Sequence, residues 1–270
     1  MKITKRELSM QENYIKMHRR HHHLITFWRL MIFIGFLFLW EISADMGWID
    51  SFFFSSPSRV VQCFLSLCAD RSIFLHIGIT LWETVFSFLL VFLISLAVST
   101  ILWYSNRLSE ILEPYLVILN SLPKSALAPL FIVWLGTGTT TIIVAGISVA
   151  IFGSIISFYT GFKQVDPEKI TLIYTLGGRK KDAFTKVILP GSIPTMISTT
   201  KVNIGLALVG VIIGEFLAAR RGLGYLIIYG SQVFQLNMVI TSIIILCIIA
   251  FGFYKGIQCI EHRMRAALKM

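Results

Sequence analysis

Residues 139–162, TTTIIVAGISVAIFGSIISFYTGF, form an apolar segment without a charged side chain. Because a helix rises 1.5 Å per residue, about 20 apolar residues are enough to cross the roughly 30 Å hydrocarbon core of a bilayer. The segment therefore predicts a transmembrane helix, and we ask whether the rest of the chain agrees.

The composition of the whole chain also indicates a membrane protein. Of the 270 residues, 56% are hydrophobic and 14% are charged, and the mean hydropathy is +0.77. An average soluble domain is about 45–50% apolar and about 25% charged, so an ordinary soluble fold and a disordered chain are both excluded. The net charge of +10 lies between apolar segments, which favours a role in membrane orientation and predicts no nucleic-acid partner.

Five further segments approach the length of a membrane span, which predicts an all-α membrane protein with about six transmembrane helices. The six candidate spans are 24–42, 80–104, 115–135, 139–162, 193–219 and 237–254. The first is interpreted as a retained helix, because its basic flank is too long for a cleaved signal peptide. The predicted divisions are a basic tail (1–23), the first span with an outer segment (24–79), the permeation core (80–262) and a second tail (263–270).

The positions of the basic residues predict the orientation. With the N-terminus in the cytoplasm, 17 of the 24 Lys and Arg residues flank the spans on the inner side. Four lie outside (Arg59, Arg71, Arg220 and Arg221), and three lie within spans (Arg29, Lys124 and Lys201). This asymmetry predicts that both termini are cytoplasmic, and that Lys201, close to an inner helix end, extends its ammonium to the interface.

Two features next to the first span are interpreted as surface elements. The histidine tract 18–23 contains two arginines and directly precedes an apolar segment, which is more typical of a solvated anchor than of a metal site. Segment 43–79 combines Phe52-Phe53-Phe54 with Pro57 and predicts an interfacial helix at the outer surface.

The connection 163–190 is polar, basic and too long to be a turn. Asp166, Pro167 and Glu168 are typical of a helix start, with an N-cap, a proline at the first position and an acid in the first turn. Leu172, Leu176, Ala183, Val187 and Ile188 then recur at helical spacing around Gly177-Gly178. The pattern predicts two short amphipathic helices that either dock on a partner protein or lie on lipid headgroups.

Three sequence blocks resemble the permease subunits of ATP-binding-cassette (ABC) importers. Residues 171–194, TLIYTLGGRKKDAFTKVILPGSIP, are similar to the EAA loop, whose pattern is Glu-Ala-Ala, three residues, Gly, nine residues and Ile-x-Leu-Pro. The blocks LPKSALAPLFIVWLGTG (122–138) and GLALVGVIIGEFLAARRGLGYLI (205–227) resemble the sulfonate, taurine and nitrate branch. The resemblance covers roughly 80–265 and implies a type I importer permease with a cytoplasmic coupling-helix hairpin.

By this resemblance, the EAA loop docks on the ATPase subunit. Gly177, Leu189 and Pro190 match the pattern, whereas Thr171-Leu172-Ile173 stand where Glu-Ala-Ala is usual. Either the partner has changed in step with this triplet, or coupling is weak. Gly177 is expected to permit a tight turn, and Pro190 is expected to separate the hairpin from the next span.

The resemblance also implies the partners. They are an ABC ATPase, an extracytoplasmic solute-binding protein and a second permease copy in a bacterial inner membrane. The chain has no GxxxxGK[ST] phosphate-binding loop, so we predict that it is not an enzyme and binds no cofactor itself, and that ATP and Mg²⁺ are used by the ATPase. Sulfonates, taurine, nitrate and vitamin precursors such as thiamine pyrimidines are all compatible substrates.

Two groups of residues are candidates for the translocation pathway or its gate. Lys124 lies between Pro123 and Pro129, prolines that are able to break the helix and free backbone groups to line a cavity. Its ammonium either attracts an anionic solute, or snorkels or pairs with another helix. By resemblance, Glu215, Gly222 and Gly224 belong to an outer gate that meets the binding protein. An ion pair between Glu215 and Arg220 or Arg221 is the structural alternative, and the two interpretations are compatible.

Three other functions have a basis in the sequence. An ion-gradient-driven transporter or channel predicts repeated halves and buried acids, whereas the sequence shows no internal repeat and almost no carboxylate in the candidate spans. A membrane-bound enzyme requires a catalytic set, and none is evident. A degenerate permease that folds without coupling is suggested by Thr171-Leu172-Ile173.

Overall fold

The computed structural model describes residues 5–267, with side-chain surroundings for residues 17, 21 and 24–264. The predicted tails 1–23 and 263–270, including the histidine tract, fall mostly outside the described side chains. The helices are α1 (Lys5–Asp45), α2 (Ser51–Phe54), α3 (Pro57–Ala69), α4 (Ser72–Tyr104), α5 (Asn106–Ser121), α6 (Lys124–Leu135), α7 (Thr139–Lys163), α8 (Pro167–Thr175), α9 (Lys180–Ala183), α10 (Leu189–Ala218), α11 (Leu223–Gln232) and α12 (Leu236–Ala267), with a π-helical turn at Phe184–Ile188 between α9 and α10.

Among residues 5–267, five helical segments are long and apolar enough to cross a membrane, and a bent pair of helices, counted as one span, makes a sixth. The five are Leu24–Asp45, Ser72–Tyr104, Thr139–Lys163, Lys180–Ala218 and Leu236–Met264. The prediction of an all-α membrane protein with about six spans is confirmed.

The third predicted span, 115–135, is not one continuous helix. α5 and α6 meet at an angle of 94°, and Leu122 between them is extended, with φ −62° and ψ 139°. A residue that precedes proline is disfavoured in the helical region, and the ring of Pro123 blocks the continuation of α5. The candidate span 115–135 is therefore broken at Pro123, as its prolines allowed.

The described residues up to Cys63 form one compact unit, and those from Phe64 onward form another. In the first unit, Asp50 caps α2 by accepting a hydrogen bond from the Phe52 backbone N–H at 2.8 Å. The Glu41 carboxylate accepts one from the Ser58 N–H at 3.0 Å. Segment 43–79 contains the end of α1, the short helices α2 and α3, and the start of α4; its position at the outer surface stays a prediction.

The core of the second unit is the close packing of α7 and α10, with α4 beside them. A Cβ added to Gly210 would lie 2.8 Å from the Ala145 carbonyl oxygen and 2.8 Å from the Gly146 Cα. A Cβ on Gly214 would lie 2.9 Å from the Ile142 Cα. Small residues therefore let the two backbones touch, as is usual where helices pack within membranes.

The 163–190 hairpin is continuous with α10. After α9, the chain passes through the π-helical turn and enters α10, where Pro190 occupies the first turn. Because proline has no N–H, Pro190 donates no hydrogen bond to the preceding turn, and the wider π turn before it accommodates its ring. The expected break at Pro190 is therefore absent.

Lys201 on α10 forms an ion pair with Glu261 on α12, and both side chains are mostly buried, at 20% and 13% exposure. The expectation that Lys201 would extend to the interface was wrong, because a carboxylate on the neighbouring helix supplies a closer partner.

Candidate functional site

The first candidate site is the α8 arm of the 163–190 hairpin. Asp166 accepts a hydrogen bond from the Glu168 backbone N–H at 2.9 Å, which confirms the predicted N-cap and fixes the start of α8. No residue of α8, which is described in full, is buried. Leu172 and Leu176, one turn apart, are 58% and 75% exposed. An apolar pair that the protein leaves uncovered is typical of a docking surface.

The glycine turn after α8 can be made only with glycine. Gly177 has a φ of +79°, a conformation that side chains disfavour. A Cβ on Gly178 would lie 2.8 Å from the Ile173 carbonyl oxygen, which accepts the Gly178 N–H at 2.9 Å. Ile173 thus closes the turn by packing where a Gly178 side chain would be, which gives this residue of the divergent triplet a structural role.

The other arm of the hairpin, formed by α9 and the π-helical turn, is anchored to the span helices. Phe184 is 7% exposed, and its ring centroid lies 5.1 Å from that of Trp103 on α4 and 5.5 Å from that of Phe162 on α7. Lys180 Nζ donates a hydrogen bond to the Tyr104 carbonyl oxygen at 2.8 Å. The predicted apolar stripe is therefore divided, with the α8 side exposed and Ala183 and Ile188 fully buried.

The second candidate site lies at the far end of α10 and is called the Glu215 network here; it comprises Glu215, Thr80 and the 222–224 backbone. Glu215 is 1% exposed. Thr80 Oγ1 donates to Glu215 Oε1 at 2.6 Å, and the Gly224 backbone N–H donates to Glu215 Oε2 at 2.6 Å. Thr80 Oγ1 also accepts the Leu223 N–H at 2.8 Å. One carboxylate therefore joins α4, α10 and the start of α11.

Two glycines allow the loop to approach this carboxylate. Gly222 has a φ of +117°, and a Cβ there would collide with the Glu215 carboxylate. A Cβ on Gly224 would lie 2.8 Å from Glu215 Oε2. Arg220 and Arg221 are exposed, and neither is ion-paired with Glu215 among the described side chains. The expected ion pair was wrong, because buried hydroxyl and amide donors take its place.

Glu83 is a member of this region that sequence reasoning missed. Its side chain is 1% exposed on α4, and its carboxyl group lies close to that of Glu215 and to the Thr139 side chain. Glu83 Oε2 has no hydrogen-bond partner among the described residues. The available signal was an acidic residue in the otherwise apolar segment 80–104, which is a functional candidate by default.

Lys124 lies at the bend rather than in the middle of a continuous span. Its Nζ donates to the Leu119 carbonyl oxygen and lies 5.2 Å from the ring centroid of Phe152. Pro123 precedes it at the bend, and Pro129 lies within α6. None of the described contacts joins these three residues to the Glu215 network, so the structure separates the two predicted pathway groups.

The predicted hairpin residues lie in two different parts of the hairpin. Thr171, Leu172 and Ile173 belong to α8, and Gly177 belongs to the turn after it. Leu189 and Pro190 begin α10, beyond α9 and the π-helical turn.

A cavity of about 480 Å³ adjoins the Glu215 network. Its polar lining consists of Thr137, Thr139, Arg220 and Arg221, and its apolar lining includes Ile79, Trp82 and Ile142.

Residues 91–265, more than half of the chain, match the family described as the inner membrane component of binding-protein-dependent transport systems. The chain belongs to this family. It is therefore a permease subunit of an ABC importer, a multi-pass inner-membrane protein that is not itself an ATPase. A system of this kind includes an ATPase subunit, which uses the ATP, and a solute-binding protein.

Three relatives cover most of the chain. A probable ABC transporter permease of Haemophilus influenzae is 29% identical over 87% of this chain and 95% of its own length. An aliphatic sulfonates permease of Bacillus subtilis is 26% identical over 84% and 82%. A formylaminopyrimidine permease of Halalkalibacterium halodurans is 27% identical over 72% and 77%.

A solved structure shows the same fold. The inward-facing MetNI methionine ABC transporter matches with a TM-score of 0.60 at 19% identity, covering 68% of this chain and 92% of that chain. The type I permease fold expected from the sequence is thereby confirmed.

Proposed function

We propose that two copies of this permease form the translocation pathway of an importer for a small organic anion. The ATPase docks on the exposed arm of the 163–190 hairpin, and the solute-binding protein meets the opposite end, where α10 leads into α11. The single observation that carries the docking proposal is the uncovered pair Leu172 and Leu176 beside a turn that only glycine can form.

The distribution of exposure supports docking on a protein. The α9 side of the hairpin is buried against α4 and α7 through Phe184, so motion of the hairpin is transmitted to the span helices. On α8, Ile170 packs against the buried cluster that contains Phe162 and Phe184, whereas Leu172 and Leu176 remain exposed. A hairpin that is anchored to the span helices and exposes an apolar pair is suited to carry movement from a bound subunit into the membrane.

The charge pattern supports a cytoplasmic hairpin. With the N-terminus inside, 17 basic residues flank the spans on the hairpin side and four on the other. This excess corresponds to the positive-inside rule, which assigns both termini and the hairpin to the cytoplasm and the Glu215 network to the outer end.

Gly177→Asp is expected to remove the ATPase from the purified complex. The substitution strains a backbone with φ +79° and adds a charge next to the exposed Leu176. Recovery of the ATPase should therefore fall by about tenfold or more, as a change of about 1.4 kcal/mol in affinity gives. The measurement is affinity purification of the full chain in mild detergent, with mass-spectrometric quantification of ATPase subunits.

Gly47→Asp is the matched control for this experiment. Gly47 has a φ of +73°, is exposed and has nothing within 4 Å of an added Cβ, so the strain and charge are the same away from the hairpin. Equal ATPase recovery with both variants contradicts docking at the glycine turn. Absence of any ATPase with the native chain contradicts ATP coupling and makes an ion-gradient-driven flux assay in liposomes the next test.

The proposal of an anionic substrate rests on two observations. One relative is named for aliphatic sulfonates, and the cavity near the Glu215 network is lined by Arg220 and Arg221. Guanidinium groups bind sulfonate and carboxylate oxygens through paired donors. Formylaminopyrimidine, after which another relative is named, is the competing substrate class.

Lys124→Met is expected to lower uptake of an alkanesulfonate by about tenfold, because it removes the cation at the bend of the third span. ATPase recovery should not change, since the hairpin is untouched. Lys124→Arg retains the charge and serves as the control. The measurement is radiolabelled uptake in proteoliposomes that contain the ATPase and binding protein; equal uptake by Lys124→Met and the native chain would show that this lysine only braces the bend through Leu119.

A further inference from the structure

We propose that one face of α5 lines the half of the translocation pathway on the hairpin side, and that Asn120 and Lys124, at the end of this face, bind the oxyanion group of the solute halfway across the membrane. The inference rests on the proposed function for the class of solute, a small organic anion such as an alkanesulfonate. It adds the position at which the anion is held and the helix that leads from there toward the hairpin.

Two of the three faces of α5 are apolar. Leu108, Leu112 and Leu116 pack against a buried cluster from α4 and α7, so this face holds the helix in the core. Ile111 and Ile118 are each 60% and 61% exposed, and their face is suited to contact lipid or another apolar helix.

The third face of α5 is exposed but polar, and it is called the polar face here. Its residues recur every three or four positions, as neighbours on one side of a helix do: Glu110, Glu113, Val117, Asn120 and Ser121. Carboxylates and an amide are costly to expose to hydrocarbon, whereas a water-filled passage solvates them. The polar face is therefore assigned to the aqueous pathway.

The far end of the polar face lies near the middle of the membrane. A Cβ added to Gly153 on α7 would lie 3.2 Å from Asn120 Oδ1, and Lys124 Nζ lies 5.2 Å from the ring centroid of Phe152. Phe152 and Gly153 are near the middle of the 25 residues of α7, which is long enough to cross a membrane. Asn120 and Lys124 therefore lie against adjacent residues at the centre of a span.

The charge changes sign between the two ends of the polar face. α5 begins two residues after Tyr104, whose carbonyl oxygen accepts the hydrogen bond from Lys180 of the hairpin, so Glu110 and Glu113 lie toward the hairpin. Lys124 lies at the other end, and the ion pairs among the described side chains do not include it. An anion is therefore attracted to the bend and repelled nearer the hairpin, which makes the bend a binding position.

Asn120 supplies neutral donors beside this cation. Its side chain is exposed, and the missing side chain of Gly153 leaves room for it. An ammonium attracts an anion from many directions, whereas an amide offers two N–H donors in a fixed plane. A sulfonate has three acceptor oxygens and can accept from both groups, so we assign Asn120 as a specificity-determining residue.

Two thiol reagents of opposite charge test the proposal in the complete transporter in nanodiscs, where both membrane faces are open to reagent. Sulfonatoethyl methanethiosulfonate carries an alkanesulfonate group, and trimethylammonioethyl methanethiosulfonate carries a cation in its place. The native cysteines are first replaced by Ser: Cys63, Cys68, Cys247 and Cys259.

The first measurement compares neighbouring positions on the two exposed faces. Val117 and Ile118 are 51% and 61% exposed, so they differ in direction more than in burial. Val117→Cys is expected to react with the anionic reagent at least about tenfold faster than Ile118→Cys, because the reaction requires a thiolate in contact with water. Equal rates at the two positions overturn the assignment of the polar face to the pathway.

The second measurement places a cysteine at the bend through Ser121→Cys. The ratio of its rates with the anionic and the cationic reagent cancels the reactivity of the thiol itself. Lys124→Met is expected to lower this ratio by about tenfold, because it removes a nearby unit charge. Asn120→Asp, which keeps the shape of the side chain, should lower it similarly, and this variant decides the result if Lys124→Met does not assemble.

Two controls complete the second measurement. Lys124→Arg retains the charge and should retain the ratio. Asn106→Asp makes the same chemical change at the first residue of α5, about 21 Å along the helix from Asn120, and should leave the ratio unchanged. A ratio that neither Lys124→Met nor Asn120→Asp lowers, or that Asn106→Asp lowers as much as Asn120→Asp does, overturns the anion site.

ATP-dependent uptake of an alkanesulfonate by the same transporter in proteoliposomes separates this proposal from the proposed function. Labelling as expected without uptake supports the anion site and contradicts import of alkanesulfonates. Uptake by the native chain together with a charge ratio that Lys124→Met does not change supports import and overturns the site at the bend.

Discussion

Gly210→Leu is expected to prevent assembly of the helical core, whereas Gly205→Leu on the same helix should leave the protein folded. The Cβ of a residue at 210 would lie 2.8 Å from both the Ala145 carbonyl oxygen and the Gly146 Cα. These are backbone atoms, so no rotation of a neighbouring side chain relieves the collision. We expect a loss of about 3 kcal/mol or more, at the upper end of the range for overpacking.

Gly205 makes the comparison informative because nothing lies within 4 Å of an added Cβ there. Both variants add the same apolar side chain to the same span, so insertion into the membrane should be equally favourable. The measurement is the monodisperse fraction in size-exclusion chromatography after heating in detergent. Similar melting of the two variants would mean that α7 and α10 do not pack through Gly210.

Replacement of Thr171-Leu172-Ile173 by Glu-Ala-Ala is expected to reduce substrate-stimulated ATPase activity by about tenfold. Leu172 is 58% exposed, and its truncation removes half of the apolar pair proposed to contact the ATPase. Ile173 packs across Gly178, so its truncation loosens the glycine turn. Glu at 171 also adds a charge near the docking surface.

This result would indicate that the triplet is adapted to a particular ATPase. The measurement is ATP hydrolysis by the reconstituted transporter, with Thr171→Ser as a control that retains the hydroxyl donating to the Pro167 carbonyl oxygen at 3.0 Å. A large gain of activity with Glu-Ala-Ala would support the opposite interpretation, that coupling has decayed in the native chain.

Features fixed by neighbouring residues could be predicted from the sequence. Asp166 caps α8 because the acceptor and the amide it binds are two residues apart, and a local pattern is sufficient to identify such a cap. The apolar segments also identified most spans, because bilayer thickness sets their length. The 94° bend could not be predicted, because the sequence does not show whether Pro123 ends the helix or only kinks it.

Features made by distant residues could not be predicted in this way. Glu83 and Glu215 are 132 positions apart, and Lys201 and Glu261 come from helices that only the tertiary fold brings together. Glu215 was therefore paired with the nearest arginines along the chain, although the structure gives it Thr80. A buried charge selects its partner by proximity in space, and one sequence contains no measure of that distance.

The π-helical turn at Phe184–Ile188 gives the permease a mechanical property that a flexible linker would not. It joins the hairpin to α10 without a break, and the 30 residues of α10 extend for about 45 Å. A rotation of the hairpin is therefore transmitted along one helix to Glu215, which lies near the other end of α10. The hairpin and the Glu215 network are therefore connected by one continuous helical segment.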